Sequence, residues 1–190
     1  MSELNLNDLI FCLSELEKLK TIERGLNVGQ RKESSAEHSW SCMLLADILI
    51  DQVNEPLNRL KVLEFLLYHD LVEVYAGDAK FNDADALAKK PSKELAAFEK
   101  IQSFIPNKKR FSTIIHDYEA RNCREAKFAK AIDCLDSCIR NLNDSSPRQK
   151  IGFTEALIRA KYKIPIAEFP LLEKLFQNIM AQLKTAKKFG

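Results

Sequence analysis

The sequence is poor in the residues that punctuate loop-rich folds, with only five glycines and six prolines in 190 positions. An all-β sandwich or barrel needs a turn residue every few positions, so this scarcity argues against one. Cysteines number five, an odd count, and Cys12, Cys42, Cys123, Cys134 and Cys138 form no CxxC pair and sit largely among apolar residues. The first residues include Ser2, Glu3, Asn5 and Asp8 rather than a basic stretch followed by an apolar one. Reduced, buried thiols in a cytoplasmic protein are the expectation, not a disulfide scaffold. The longest apolar run, about Met43 to Ile50, is interrupted by Asp47 and is too short to span a bilayer. A net charge of +2 supplies no broad field for polymeric nucleic acid or a membrane surface. The short basic tail of Lys184, Lys187 and Lys188 reads as a solvated helix end.

What is present is a globular, helix-favouring composition, 46% apolar and 29% charged, long enough to bury one core. Leu6, Leu9, Ile10, Leu13, Leu16 and Leu19 repeat at three-and-four spacing, predicting a first helix over Leu4 to Leu19. Gly25 and Gly29 break it and leave a polar loop through Ser35. Ser34 or Ser35 caps a second helix running to about Val53, with Trp40, Met43, Leu44 and Ile48 on its apolar side. A third is expected from Leu57 to about Ala76, stopped by Gly77. Phe81 to Ser92 reads as irregular. Further helices are expected at about Lys93–Phe104, Lys109–Ala120, Arg124–Leu142, Arg148–Tyr162 and Glu168–Lys187, with a turn at 143–147. No stretch alternates like a strand and no repeat is visible. The expectation is one all-α domain, a helical bundle over residues 1–190.

Three histidines are few enough to weigh singly. His69 and Asp70 lie within a helix otherwise filled with apolar residues. Burying such a pair costs several kcal/mol unless a partner neutralises it, and a divalent metal is one such partner. Glu73, four residues after His69 and three after Asp70, shares their helical face and could act as base toward a metal-bound water. Asp78 follows Gly77 and aims into the same region. The bland alternative is a helix with His, Asp and Glu on an exposed polar side. Two further residues shift the balance: His38 near the start of the preceding helix and Asp133 between Ile132 and Leu135 in a later one. A His, a His-Asp pair and an Asp from three helices can converge in a bundle core and leave positions open for water and substrate.

The Glu-His at 37–38, the His-Asp-x-x-Glu-x-x-x-Gly-Asp run at 69–78, and Tyr118-Glu119-Ala120 followed by Glu125-Ala126-Lys127-Phe128 to Asp133 resemble the HD-domain metal-dependent phosphohydrolases, and within them the short 5′-deoxynucleotidase-like branch. The resemblance covers roughly residues 10 to 145 and leaves 146–190 as additional helices. It implies an all-α, usually dimeric protein that removes phosphate from deoxyribonucleoside 5′-monophosphates. It further implies metal ligands His38, His69, Asp70 and Asp133, with Glu73 activating or positioning water and Asp78 contacting the sugar or leaving oxygen. The branch usually carries an Arg-Trp pair upstream of its first His. Here Arg24-Gly25 stands in that place, leaving Arg24 for the phosphate and Arg31 as a second candidate, while Trp40 reads as core.

Other assignments compete. His116-Asp117 is a second His-Asp dipeptide, but it lacks the following Glu and Gly-Asp and looks like an exposed helix shoulder. Asp136, one turn past Asp133, is an alternative ligand or an acceptor behind one. Cys134 and Cys138 share a helix face without the further ligands a thiolate site needs. One spare histidine favours a single divalent ion (Mn, Co, Fe, Ni or Zn), whose identity the ligand types leave open. Two rival functions remain. One is hydrolysis of another nucleotide, a di- or triphosphate or an alarmone, although Val74 follows Glu73 where alarmone hydrolases have Glu-Asp. The other is a non-catalytic helical binding protein.

Overall fold

A computed structural model describes residues 5–79, 83–144 and 154–189. Helices dominate. Helix α1 (Leu6–Leu16) is capped by Asn5, whose side chain accepts from the Asn7 amide, and runs into a 3₁₀ turn over Glu17–Thr21. The expected loop before Ser35 is instead an antiparallel hairpin, β1 (Glu23–Val28) and β2 (Arg31–Ser34). Val28 pairs with Arg31, so Gly29 and Gln30 make a two-residue turn. Gly29 has φ +61° and Gln30 no positive φ, the pattern of a type II′ turn. The strands are short, only half-buried and irregular in register between Glu23 and Asn27, so no period-two signal marked them.

Helix α2 (Ser35–Leu49) begins with a full capping box. Ser34 Oγ accepts from the Glu37 amide, and the Glu37 carboxylate accepts from the Ser34 amide. Trp40 is not core: it is 63% exposed and lines up with exposed Leu44 and Ile48 at four-residue spacing. A 3₁₀ turn over Ile50–Gln52 ends the segment. The third helix is shorter than expected. Helix α3 spans Arg59–Tyr68, and a separate single turn, α4, spans Glu73–Ala76. Between them Leu71 bonds back to Tyr68 and Glu73 to Asp70, three residues rather than four, so the helix tightens and breaks at the His-Asp pair. Gly77, at φ +72°, closes α4 and donates its amide to the Glu73 carbonyl.

Helix α5 (Ala84–Phe104) extends back over much of the segment read as irregular. Asp83 caps it through the Ala86 amide, and Pro91 sits inside it. Helices α6 (Lys108–Ala120) and α7 (Arg124–Asn143) match expectation within a residue or two. Helix α8 (Glu155–Ala167) starts at a Thr154 cap and includes Pro165, and α9 (Pro170–Thr185) follows with Pro at its first position. Most of the expected turn at 143–147 and the first residues of the helix expected from Arg148 lie outside the described residues.

The core is organised on α7, which packs against α2, α3, α8 and α9. Phe128, Ile132 and Leu135 are fully buried there beside Leu66, Ile166, Leu172 and Phe176. A second cluster joins Leu71, Val72 and Val74 to Ala97, Ile101 and Phe111. The chain passes from one cluster to the other at residues 66–71, and His69 sits at that junction. All five cysteines are free. Among the described residues no helix is long and apolar enough to cross a membrane.

Candidate metal centre

The helix break decides the local geometry. His69 is the C-cap of α3, and its Nδ1 lies 2.8 Å from the Leu66 carbonyl. A carbonyl only accepts, so Nδ1 carries the proton and Nε2 carries the lone pair. That Nε2 is buried and has no hydrogen-bond partner. It faces Asp70 Oδ1 at 3.4 Å, and burial lowers the His69 pKa, keeping the ring neutral. A buried lone pair opposite a carboxylate oxygen is unfavourable for a proton-free pair, and a cation between them resolves it.

The other members converge here. The His38 ring centroid lies 5.4 Å from that of His69. His38 Nε2 is 3.0 Å from Asp133 Oδ1 and 3.9 Å from Asp70 Oδ2. Its Nδ1 is 2.9 Å from Asp136 Oδ2, whose other oxygen accepts from Ser41 Oγ at 2.5 Å. The two acids left open by the sequence thus take opposite sides of one ring: Asp133 on the inner nitrogen, Asp136 behind. Burial opposes a charged His38, but the hydrogen bonds to Asp133 and Asp136 outweigh it and raise the pKa well above the usual histidine range, so a cation that takes the Nε2 lone pair would displace that proton. Two imidazole nitrogens and two carboxylates are a donor set that suits a divalent first-row ion.

Glu73 is 4% exposed and accepts from Ser35 Oγ at 2.6 Å. Burial, then the charge of Asp70, pushes its carboxyl up to about 8. Arg24 reaches in from β1. Its Nη1 donates to Asp70 Oδ2 at 2.8 Å, and its Nε lies 3.7 Å from Glu33 Oε2 on β2. Burial opposes its charge, but Asp70, Glu73, Asp78 and Asp133 together keep it firmly protonated. Asp78 therefore lies close enough to act on both Arg24 and Glu73. Arg31 does not join the group. Its guanidinium pairs with Glu37 and bonds the Lys32 carbonyl, and its side chain is 62% exposed. It braces the α2 capping box rather than reaching Asp70 as Arg24 does. His116 is exposed with its ring edge on Phe98, as the shoulder reading expects.

Several residues at the site escaped sequence reasoning. Ser35 stood out only as a possible cap. Lys130 donates to Asp133 Oδ2 at 2.8 Å and Tyr118 OH to the same oxygen at 3.3 Å. Lys130 lies one turn before Asp133, a spacing that could have marked it. Cys42, one turn after His38, joins His38, His69 and Asp133 as a compact group of possible ligands. Its Sγ is 3.5 Å from Nε2 and 3.7 Å from Nδ1, nearly equal distances that place it over the ring face rather than along the lone pair. Burial also pushes this thiol up to about 12, so it packs against His38 as a neutral group.

Residues 16–169 match the HD domain family. The chain belongs to the HD domain family. The 5′-deoxynucleotidase HDDC2 of Homo sapiens is 28% identical over 106 residues, 55% of this chain and 50% of that protein. The protein of the same name from Xenopus laevis is 28% identical over 125 residues, 65% of this chain and 61% of that protein. The chain thus aligns with between half and two thirds of these curated relatives. A crystal structure of a predicted metal-dependent phosphohydrolase from Magnetospirillum magnetotacticum superposes with TM-score 0.83 at 27% identity, covering 97% of this chain and 95% of that one. The all-α HD architecture read from the sequence holds, with the small hairpin as its one addition among the described residues.

Proposed function

We propose that this HD domain protein is a metal-dependent phosphohydrolase that releases phosphate from deoxyribonucleoside 5′-monophosphates. The observation that carries the reading is the unpartnered, proton-free Nε2 of buried His69, turned toward Asp70 beside His38 and Asp133. In this reading His38, His69, Asp70 and Asp133 hold one divalent first-row ion (Mn, Co, Fe, Ni or Zn). When bound, the ion supplies Lewis-acid polarisation and lowers the pKa of a coordinated water. Glu73, whose proton affinity is raised by burial and then by the Asp70 charge, would take a proton from the attacking water and return it to the leaving oxygen. Ser35 Oγ fixes one Glu73 oxygen and leaves the other for that exchange. Arg24 carries the fixed positive charge that meets the equatorial phosphoryl oxygens, and Asp78 borders the leaving-group side. The names of the HDDC2 relatives support the nucleotide choice.

We also propose a cytoplasmic homodimer. Sedimentation of the wild type tests that part. The activity is tested by phosphate release from a panel of nucleoside mono-, di- and triphosphates and guanosine tetraphosphate, each with Mn, Co, Fe, Ni, Zn and Mg. Release confined to di-, triphosphates or the alarmone replaces the substrate assignment. Stoichiometric metal with no release from any compound replaces it with a binding role.

A further inference from the structure

Both acids on the inner side of the centre are gripped by a cation on one oxygen. Asp70 gives Oδ2 to Arg24 Nη1 at 2.8 Å and turns Oδ1 to His69 Nε2 at 3.4 Å. Asp133 accepts on Oδ2 from Lys130 Nζ at 2.8 Å and from the Tyr118 hydroxyl at 3.3 Å. Its Oδ1 faces His38 Nε2 at 3.0 Å. The division of labour is strictest at Asp133. A carboxylate oxygen offers about two acceptor sites, and Oδ2 already has two donors. The candidate ligand atoms of His38, His69 and Asp133 lie within 4.8 Å of one another, and Oδ1 is the Asp133 oxygen left for that space.

The two donors come from different helices and differ in stiffness. Tyr118 of α6 is buried, with its ring edge-on to His69 at 5.6 Å and tilted against Phe65 at 6.3 Å. Packed between a ligand and the core, its hydroxyl has no room to follow Asp133 if that side chain turns. Lys130 lies one turn before Asp133 on α7, with its side chain 31% exposed and its ammonium 5.8 Å from the Tyr118 ring centroid. Turning Oδ2 inward therefore costs a charge-assisted hydrogen bond and a neutral one together. A carboxylate can bind a divalent ion through one oxygen or both. Using both fills a position that a hydrolytic centre needs for water or a phosphoryl oxygen.

We propose that Lys130 and Tyr118 are positioning residues that hold Asp133 to binding the ion through Oδ1 alone, so that a coordination position stays open for water. The proposal deepens the metal-dependent reading above and rests on its ligand set. Lys130 and Tyr118 act through Asp133 and touch neither ion nor substrate in this account.

The test uses Mn-loaded full-length protein as wild type, Lys130→Met, Lys130→Arg, Tyr118→Phe and the Lys130→Met/Tyr118→Phe double variant. Crystal structures show which Asp133 oxygens touch Mn, and water-proton relaxation counts the exchangeable waters on it. Wild type is expected to bind through Oδ1 alone. In Lys130→Met, and most fully in the double variant, Oδ2 moves onto Mn and one exchangeable water is lost. For a deoxynucleoside monophosphate kcat falls about 10- to 100-fold with a smaller change in KM, and Lys130→Arg recovers most of it. Binding through both oxygens in wild type overturns the proposal. So does one-oxygen binding with the wild-type water count in the double variant, even if its urea midpoint falls; wild-type nucleotide turnover then leaves the phosphohydrolase reading standing. The expected change in binding mode without turnover of any nucleotide by wild type supports the positioning role and overturns the activity. A wild type that takes up no Mn overturns the ligand set and the proposal together.

Discussion

Replacing Asp136 tests whether the group behind a ligand governs the centre. Asp136 holds the outer nitrogen of His38 at 2.9 Å, is itself held by Ser41 Oγ, and is 4% exposed. Asp136→Ala removes the acceptor that keeps the proton on Nδ1 and the lone pair on Nε2. Loss of such an outer partner costs about 10- to 100-fold in metal affinity, or about 1.4 to 2.7 kcal/mol. Without metal, the same change leaves a buried Nδ1–H and the Ser41 hydroxyl unanswered, worth about 1–3 kcal/mol of folding stability. Asp136→Asn separates charge from geometry: its oxygen can still accept from Nδ1 while its amide turns to Ser41. Its affinity loss is expected near the lower bound, about tenfold. Metal affinity is measured by competition with a chelator of known strength, and stability by urea unfolding with chelator present. Wild-type metal affinity in Asp136→Ala refutes the orienting role, as does equal loss in both variants.

Glu73→Gln keeps the size of the side chain and the bond from Ser35 but removes the titrating group; kcat is expected to fall about 10²- to 10⁴-fold with metal content unchanged. Full turnover by this variant refutes the role of Glu73. Phe128→Ala deletes a fully buried ring that packs edge-on against Phe169 at 5.1 Å, and should lower unfolding free energy by about 3–5 kcal/mol in urea titrations. Glu37, pulled down from 4.5 to about 2 by Arg31 and then by Ser34, binds fewer protons folded than unfolded. Its small stabilisation is present above about pH 4.5 and is lost as pH falls through about 2. Glu37→Gln, which preserves the capping pattern, should flatten the pH dependence of the urea midpoint over that window in chelator-treated protein.

The parts of the molecule legible in the sequence are those governed by short-range rules. Helices α6 and α7 could be placed within a residue or two because apolar spacing and stop signals agree there. Convergence of His38, His69, Asp70 and Asp133 was readable because polar residues embedded in apolar helices need a partner. The hairpin was not, since its strands carry Arg24, Asn27 and Lys32 and are stabilised by a glycine turn and by the Asp144 side chain accepting from the Asn27 amide. The break at His69 was also hidden. Every residue from Leu57 to Ala76 tolerates a helix, and the decision rests on tertiary placement of the His-Asp pair. Trp40 shows the opposite error: helical periodicity identifies an apolar face but not what covers it.

One consequence follows from the grip on His38. Both nitrogens of a single ring on α2 are engaged by acids three residues apart on α7, so the ring lies along the axis of that helix. Rolling or sliding α2 against α7 by even one residue, about 1.5 Å, breaks both contacts at once. The two helices therefore behave as a single clamp. Amide exchange should be slowest along the α2–α7 seam and fastest around the hairpin turn at Gly29.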